Sequence, residues 1–370
     1  MAHSLSPGQV LAGRYEVTRY HLEGSMQEVY LCIDRMLGRE VALKTPLDGI
    51  RDKRFRRGAE MGARVNHPNV AATFDYFEEA GKTCLVEEFI HGLDLGRRLK
   101  TEYRYLDPAL AAHVIHHISR GLQEAHRVGI CHRDLKPSNV MTSRDRGMTS
   151  IKLTDFGIAK LAEHELEAEI AEFGKDESTL TSSATLLGAV PYMAPECWDD
   201  WKSAGQPMDI WALGCIAYHL LTGAPPFGAG HAAIANVTRF QSGVFHLSKP
   251  KWFGTHPSTA TLEDELWHFI TSCIQANPAT RIDAEAATRL CDAMCYSDTE
   301  RHEGIISRYP HVYANGSRGD CGFIASDNSS FFFHKSEFFG DDAPVQGQRV
   351  LFSSYPGAPS PRVCPILLLR

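Results

Sequence analysis

Hydrophobic periodicity changes twice along these 370 residues, and that order of textures confines the chain to few architectures. Residues 15–45 and 73–89 carry short β-branched and aromatic runs broken by turn residues, whereas 52–65 has helical spacing. After Gly92 the repeat becomes helical through 106–128, 209–221, 262–276 and 283–295. From Glu303 short aromatic strands return among Gly and Ser. The chain therefore reads as α+β: a small strand-rich lobe with one helix, a larger helical lobe, and a compact β-barrel.

Composition narrows the function classes. Hydrophobic residues make up 43%, ample for a sizeable core. The 38 Lys and Arg stand against 45 Asp and Glu, a net charge of -7, so no chain-wide basic field exists for nucleic acid or an anionic membrane surface. Ten cysteines are scattered without a Cys-x-x-Cys pair and no charged-then-apolar leader opens the chain, which leads us to expect a cytoplasmic setting. No apolar run approaches the roughly 20 residues of a membrane span, so no membrane partner is expected.

The chemistry concentrates in residues 132–139, His-Arg-Asp-Leu-Lys-Pro-Ser-Asn, followed by Asp155, Phe156 and Gly157. A loose phosphoryl-transfer transition state requires an aligned hydroxyl and neutralised phosphate charge. Asp134 is placed to accept a hydroxyl proton and Lys136 to steady the transferring group. Asn139 and Asp155 offer oxygen ligands suited to hard Mg²⁺ ions. On these two motifs, in this order, the chain resembles the serine/threonine protein kinases of the bacterial Hanks type.

The resemblance covers residues 14–296 and implies a two-lobe kinase fold, with ATP and Mg²⁺ as cofactors and proteins as substrates. It makes Lys44, in the run Val41-Ala42-Leu43-Lys44, the cation for the α- and β-phosphates, with Ala42 and Val29 walling the adenine. Glu88 to Ile90 resemble the hinge that binds adenine through its backbone, with Met141 beneath the ring and Asp94 near the ribose. Glu87 falls at the gatekeeper position, where an apolar residue is more usual. Asp209, Trp211 and Gly214 resemble the helix anchoring the catalytic loop, and a Glu196–Arg281 salt bridge is expected.

Three departures from the family pattern concern alignment. The phosphate-covering loop, Leu22 to Val29, retains Gly24 alone of three glycines, where a bare backbone would approach phosphate; Leu22 and Gln27 should weaken that cradle. The helix glutamate that pairs with the strand lysine should stand nine residues before His67, where the chain has Gly58. Glu60 lies about 200° around the helix from that position, so Lys44 is expected to lack its partner. Ala189 replaces a threonine whose hydroxyl would bond toward the catalytic Asp and Lys. Between Asp155 and Glu196, Thr185 stands where kinases place their activating phosphate, with Arg133 as its expected partner; a polar loop without phosphate is the alternative.

From Glu303 a second resemblance arises. Gly322-Phe323-Ile324, then Phe331 to His334 and Ser336, then Gly347, Val350 and Phe352 resemble a cold-shock domain, an OB-like barrel spanning 303–370. That resemblance implies single-stranded RNA or DNA as partner, with bases stacked on Phe323, Phe332 and His334. Cys321 stands where an aromatic is usual, and six Lys or Arg balance six Asp or Glu across 303–370, so binding would be led by stacking. A protein-interaction module with Phe331 and Phe333 in its core is the alternative. The favoured reading of the chain is an active kinase; a pseudokinase scaffold and a nucleic-acid-binding protein with a regulatory kinase lobe are the others.

Overall fold

The computed structural model describes residues 3–23, 27–47, 52–79, 81–156, 188–199, 204–297, 299–340, 343–358 and 360–370. Gly24, Thr185 and the Ser/Thr cluster around Thr185 lie outside the described residues.

The first lobe is a six-stranded sheet ordered β1-β2-β3-β4-β6-β5: β1 Val10–Leu11, β2 Tyr15–Glu23, β3 Gln27–Asp34, β4 Arg39–Pro46, β5 Thr73–Glu79 and β6 Lys82–Glu88. Continuous apolar character in β3, β4 and β6 follows from burial on both faces; Tyr30, Cys32, Val41, Leu43 and Val86 form the core of one face. Leu5 and Leu11 join that core, so residues ahead of 14 belong physically to this lobe. Helix α1, Asp52–Gly62, lies across the sheet, with Ala59 packed on Leu85.

The chain then crosses through β7, Gly92–Asp94, which pairs with β8, Val140–Ser143, itself paired with β9, Ile151–Leu153. Helix α2, Leu95–Thr101, starts at the Asp94 cap. Helix α3, Pro108–Arg127, starts at Asp107, whose carboxylate accepts from Ala109 N and Leu110 N, with Pro at the first helical position. Helix α4, Pro207–Thr222, ends at Gly223, whose φ of 77° suits glycine and whose absent Cβ leaves room for Arg104 O. Midway, Gly214 lets α4 approach α6, Ala260–Cys273, so closely that a Cβ would stand 2.7 Å from Cys273 Cβ. Helices α5, Gly230–Gln241, and α7, Ala284–Ala293, complete the lobe around Trp211, Leu213, Ile216 and Phe269. Among the described residues, no helix is long and apolar enough to cross a membrane.

The remaining strands close a barrel: β10 His302–Arg308, β13 Cys321–Ser326, β14 Ser329–His334, β15 Arg349–Tyr355 and β16 Arg362–Leu368, in the order β10-β13-β14-β16-β15, with β14 and β16 parallel. The short pair β11 His311–Val312 and β12 Arg318–Gly319 stands beside it. Asp327 and Asn328, at φ 45° and 64°, form the two-residue turn between β13 and β14. Side-chain alternation puts Phe333, with Ile306, Ile324, Phe352 and Ile366, in the barrel core and Phe331 against it, while Phe332 faces the other way.

The barrel is fused to the helical lobe. Phe339, Leu351 and Leu367 enter the helical core, and His256 stacks on Phe339 at 4.0 Å while its Nε2 bonds Phe338 O. The buried Arg301 guanidinium pairs with the Asp107 carboxylate at 3.0 Å, and Arg370 bonds Glu102 O, Leu99 O and Tyr103 O at the end of α2.

Candidate active site

The site is built where the inner strands β3, β4 and β6, the 132–139 loop and the end of β9 converge. Asp209, buried near the start of α4, holds the loop in place: its two oxygens accept from His132 N at 2.7 Å and Arg133 N at 2.8 Å, and His126 Nε2 sits 2.9 Å away. Burial pushes the Asp209 carboxyl up, but His126, His132 and the backbone bond outweigh it and hold the group below its ordinary value. His132 in turn bonds Thr154 O through Nε2 and packs on Phe156 at 4.6 Å, tying the loop to the Asp155 segment. Arg133 and Asp155, at φ 68° and 62°, occupy the left-handed region, a cost the surrounding bonds sustain.

On that frame, Lys136 Nζ stands 2.7 Å from Asp134 Oδ2, and Asn139 Nδ2 donates to Asp134 O at 2.7 Å and to Oδ2 at 3.0 Å. Three of the sequence-predicted residues thus meet within one turn. Since the Asn139 amide nitrogen faces Asp134, its oxygen is the end left for a metal.

Across the cleft, Lys44 Nζ lies 2.8 Å from Asp155 Oδ1 and 2.5 Å from Glu87 Oε2. Gln27 Nε2 also donates to Asp155 Oδ1, at 2.9 Å. Burial raises the Asp155 carboxyl, yet the Lys44 charge and these hydrogen bonds bring it below its ordinary value. Glu87 shifts the other way: burial dominates, Lys44 opposes it, Asp155 adds repulsion, and the carboxyl stays raised. Burial would lower Lys44, but Asp155 and Glu87 together keep it raised and therefore charged.

The expectation that Lys44 lacks a partner is corrected. Gly58 is indeed in α1, and Glu60 pairs with Arg56 at 3.0 Å, but Glu87 supplies the carboxylate from strand β6. Gln27, expected only to weaken the phosphate cradle, has a positive role as a donor to Asp155. Ala42 and Val29 are buried in the sheet, Val29 opposite Lys44 and Ala42 opposite Glu87. Met141 and Asp94 face each other across β7 and β8. Asp94 also caps α2 by accepting from Arg97 N at 2.8 Å, so its carboxylate has a structural duty as well. The Glu88 side chain pairs with Lys152 at 2.9 Å, leaving the segment through Ile90 to offer its backbone. Glu196 and Arg281 form the expected two-pronged salt bridge, with the guanidinium over Trp211 at 5.0 Å. Ala189 lines a cavity of about 20 Å³ beside Arg133, Asp134 and Leu135, room for one water where a threonine side chain would sit.

The paired lysine and aspartate, facing an Asp-Lys-Asn loop across a two-lobe cleft, match a family pattern at the level of the whole domain. The family model described as protein kinase domain matches residues 16–290. The chain belongs to the protein kinase family.

Two of its relatives are bacterial kinases. It is 34% identical over 229 residues to the probable serine/threonine-protein kinase pknA2 of Bifidobacterium longum, covering 60% of this chain and 28% of that protein. It is 31% identical over 291 residues to the serine/threonine-protein kinase PrkC of Bacillus subtilis, covering 75% of this chain and 42% of that protein. The kinase-family chain thus spans well under half the length of these relatives. Among solved structures, the Mycobacterium tuberculosis PknI kinase domain, a C20A_R136A double mutant, superposes with a TM-score of 0.54 at 24% identity, covering 79% of this chain and 98% of that one. That likeness concerns the fold.

Proposed function

We propose that the chain is a serine/threonine protein kinase that transfers the γ-phosphate of ATP to protein hydroxyls. The observation carrying this reading is the facing arrangement of Lys44–Asp155 and Asp134–Lys136–Asn139, each pair within 3.0 Å. Asp155 and Asn139 would hold Mg²⁺: both present oxygen, and Asp155 is kept ionised by Lys44. Bound there, the metal would supply positive charge to offset the negative charge that develops on the phosphate. The remaining work falls to the chain. Both donors to Asp134 fall on Oδ2, so Oδ1 is the oxygen that meets the substrate hydroxyl. As the hydroxyl oxygen bonds to the γ-phosphorus and the bond to ADP breaks, the hydroxyl proton passes to Asp134, and Lys136 offsets charge on the phosphoryl oxygens. Val29, Ala42, Met141 and the Glu88–Ile90 backbone would enclose adenine, with Asp94 toward the ribose and Gly24 over the phosphates.

Activation by phosphate on Thr185 belongs to the same reading. Arg133 Nη1 is buried with no hydrogen-bond partner among the described residues, as suits a guanidinium awaiting an anion. The test mixes active chain with a Lys44→Met chain as substrate and maps modified residues by mass spectrometry. Phosphate on Thr185 of the inactive chain is expected; transfer to other proteins with Thr185 unmodified would remove the activation step.

For the barrel we favour single-stranded nucleic acid as partner. A closed five-stranded barrel whose third and fifth strands are parallel supports the OB-like reading. Phe323 and Phe332 are directly opposite one another, half-buried, at 5.7 Å, with Arg308 and Arg362 over their rings and His334 exposed nearby. Anisotropy of a labelled oligonucleotide should show Phe332→Ala weakening binding by roughly tenfold, with a shallow salt dependence. Equal binding by the variant would favour a protein-interaction role instead.

A further inference from the structure

The strand lysine of a protein kinase needs a carboxylate partner, ordinarily from the helix that can swing toward or away from it. Here position 58 of α1 is glycine, and the Glu60 carboxylate pairs with Arg56 at the exposed face. The sheet itself provides one. Strands β4 and β6 are antiparallel with Ala42 opposite Glu87 and Lys44 opposite Leu85, so Lys44 and Glu87 are diagonal neighbours on one face. That spacing is within reach of long side chains, and their charged ends meet at 2.5 Å. Both residues are buried, at 6% and 7% exposure, where an unpaired Glu87 carboxylate would be costly.

We infer that Glu87 is the positioning residue for Lys44, doing from strand β6 what a helix glutamate does elsewhere in the family. The inference rests on the phosphotransfer reading and names which residue aligns its phosphate-binding lysine. Because β4 and β6 are hydrogen-bonded neighbours, the alignment of Lys44 is fixed by sheet register and is independent of where α1 lies. Lys44 also touches Asp155; were that carboxylate to hold a metal, Glu87 would still keep the lysine in place. Movement of α1, a common means of switching kinases, then has no lever on the lysine.

A double-mutant cycle tests this. Transfer rates and calorimetric affinity for Mg²⁺ with the non-hydrolysable analogue AMP-PNP are measured for the full chain, Glu87→Gln, Lys44→Met and the double variant; thermal melts establish that each is folded. Glu87→Gln should slow kcat by roughly tenfold, with a smaller change in KM for ATP. In the Lys44→Met background it should change AMP-PNP affinity less than about twofold, because its effect runs through the lysine. Equal loss in both backgrounds, or a Glu87→Gln chain as fast as the parent, would overturn the inference. Should Glu87→Gln not fold, Glu87→Leu carries the same cycle with the apolar residue usual at that position. A parent chain that binds AMP-PNP without transferring phosphate would remove the kinase reading, and the binding cycle alone would then decide whether Glu87 places Lys44.

Discussion

At the scale of single residues, neighbouring charges and hydrogen bonds shift Lys44, Asp155 and Asp209 toward their ionised forms, while burial holds the Glu87 carboxyl raised. Asp209 shows what this means for pH. Its folded pKa lies below the ordinary value of 3.8, so its stabilisation is complete above that value and is lost as pH falls through the lower folded value. Denaturant melts from pH 7 to pH 2 should find Asp209→Asn destabilised at neutral pH, with the gap from the parent closing below about pH 4. Ala189 allows a gain. Ala189→Thr fills the cavity beside Asp134 with a hydroxyl able to bond there, and a turnover assay should show kcat rising by about two- to tenfold, the equivalent of roughly 0.5–1.5 kcal/mol. Asp134, Lys136, Asn139 and Asp155 could be proposed from sequence because they lie in two short contiguous motifs. The partners Glu87 and Gln27 were not. Lys44 and Glu87 meet only through the register of two strands, and Gln27 reaches Asp155 across 128 positions. The signal available was the charge at the gatekeeper position: a buried carboxylate beside Ala42 requires a cation, and Lys44 is two residues away on the same face.

At the scale of elements, close packing explains residues that chemistry does not. Gly214 joins α4 to α6 at a distance no side chain fits, so Gly214→Ala should lower stability by about 1–3 kcal/mol in a urea melt. The Glu196–Arg281 bridge ties the segment after the catalytic loop to α4 and stacks on Trp211. Removing Arg281 leaves Glu196 largely buried without its partner, and Arg281→Ala should cost on the order of 3 kcal/mol by the same measurement. The change from strand to helix texture was readable from period alone, as was the return to strands after Glu303. The closure of the last strands into a barrel was anticipated from composition, but the parallel contact of β14 with β16 comes from pairing that no local pattern encodes.

At the scale of the whole molecule, the barrel and the helical lobe share a core. Phe339, Leu351 and Leu367 lie among helical-lobe side chains, and Arg301 pairs with Asp107 across 194 positions, out of reach of any reading by segments. Barrel and helical lobe should therefore unfold in one transition when followed by calorimetry and by near-ultraviolet circular dichroism; two separated transitions would contradict the shared core. The contacts of Arg370 with the end of α2 also place the barrel one helix away from the Asp94 cap. The central claim remains that Lys44, Asp134 and Asp155 together move a phosphoryl group. Its most direct test is single-turnover transfer of labelled γ-phosphate from ATP, with Mg²⁺, to the chain itself and to a basic protein, beside Asp134→Asn. Label that is Mg²⁺-dependent and falls by roughly 10²- to 10⁴-fold in the variant is expected; equal label in both chains, or none in either, would rule out this role for the three residues.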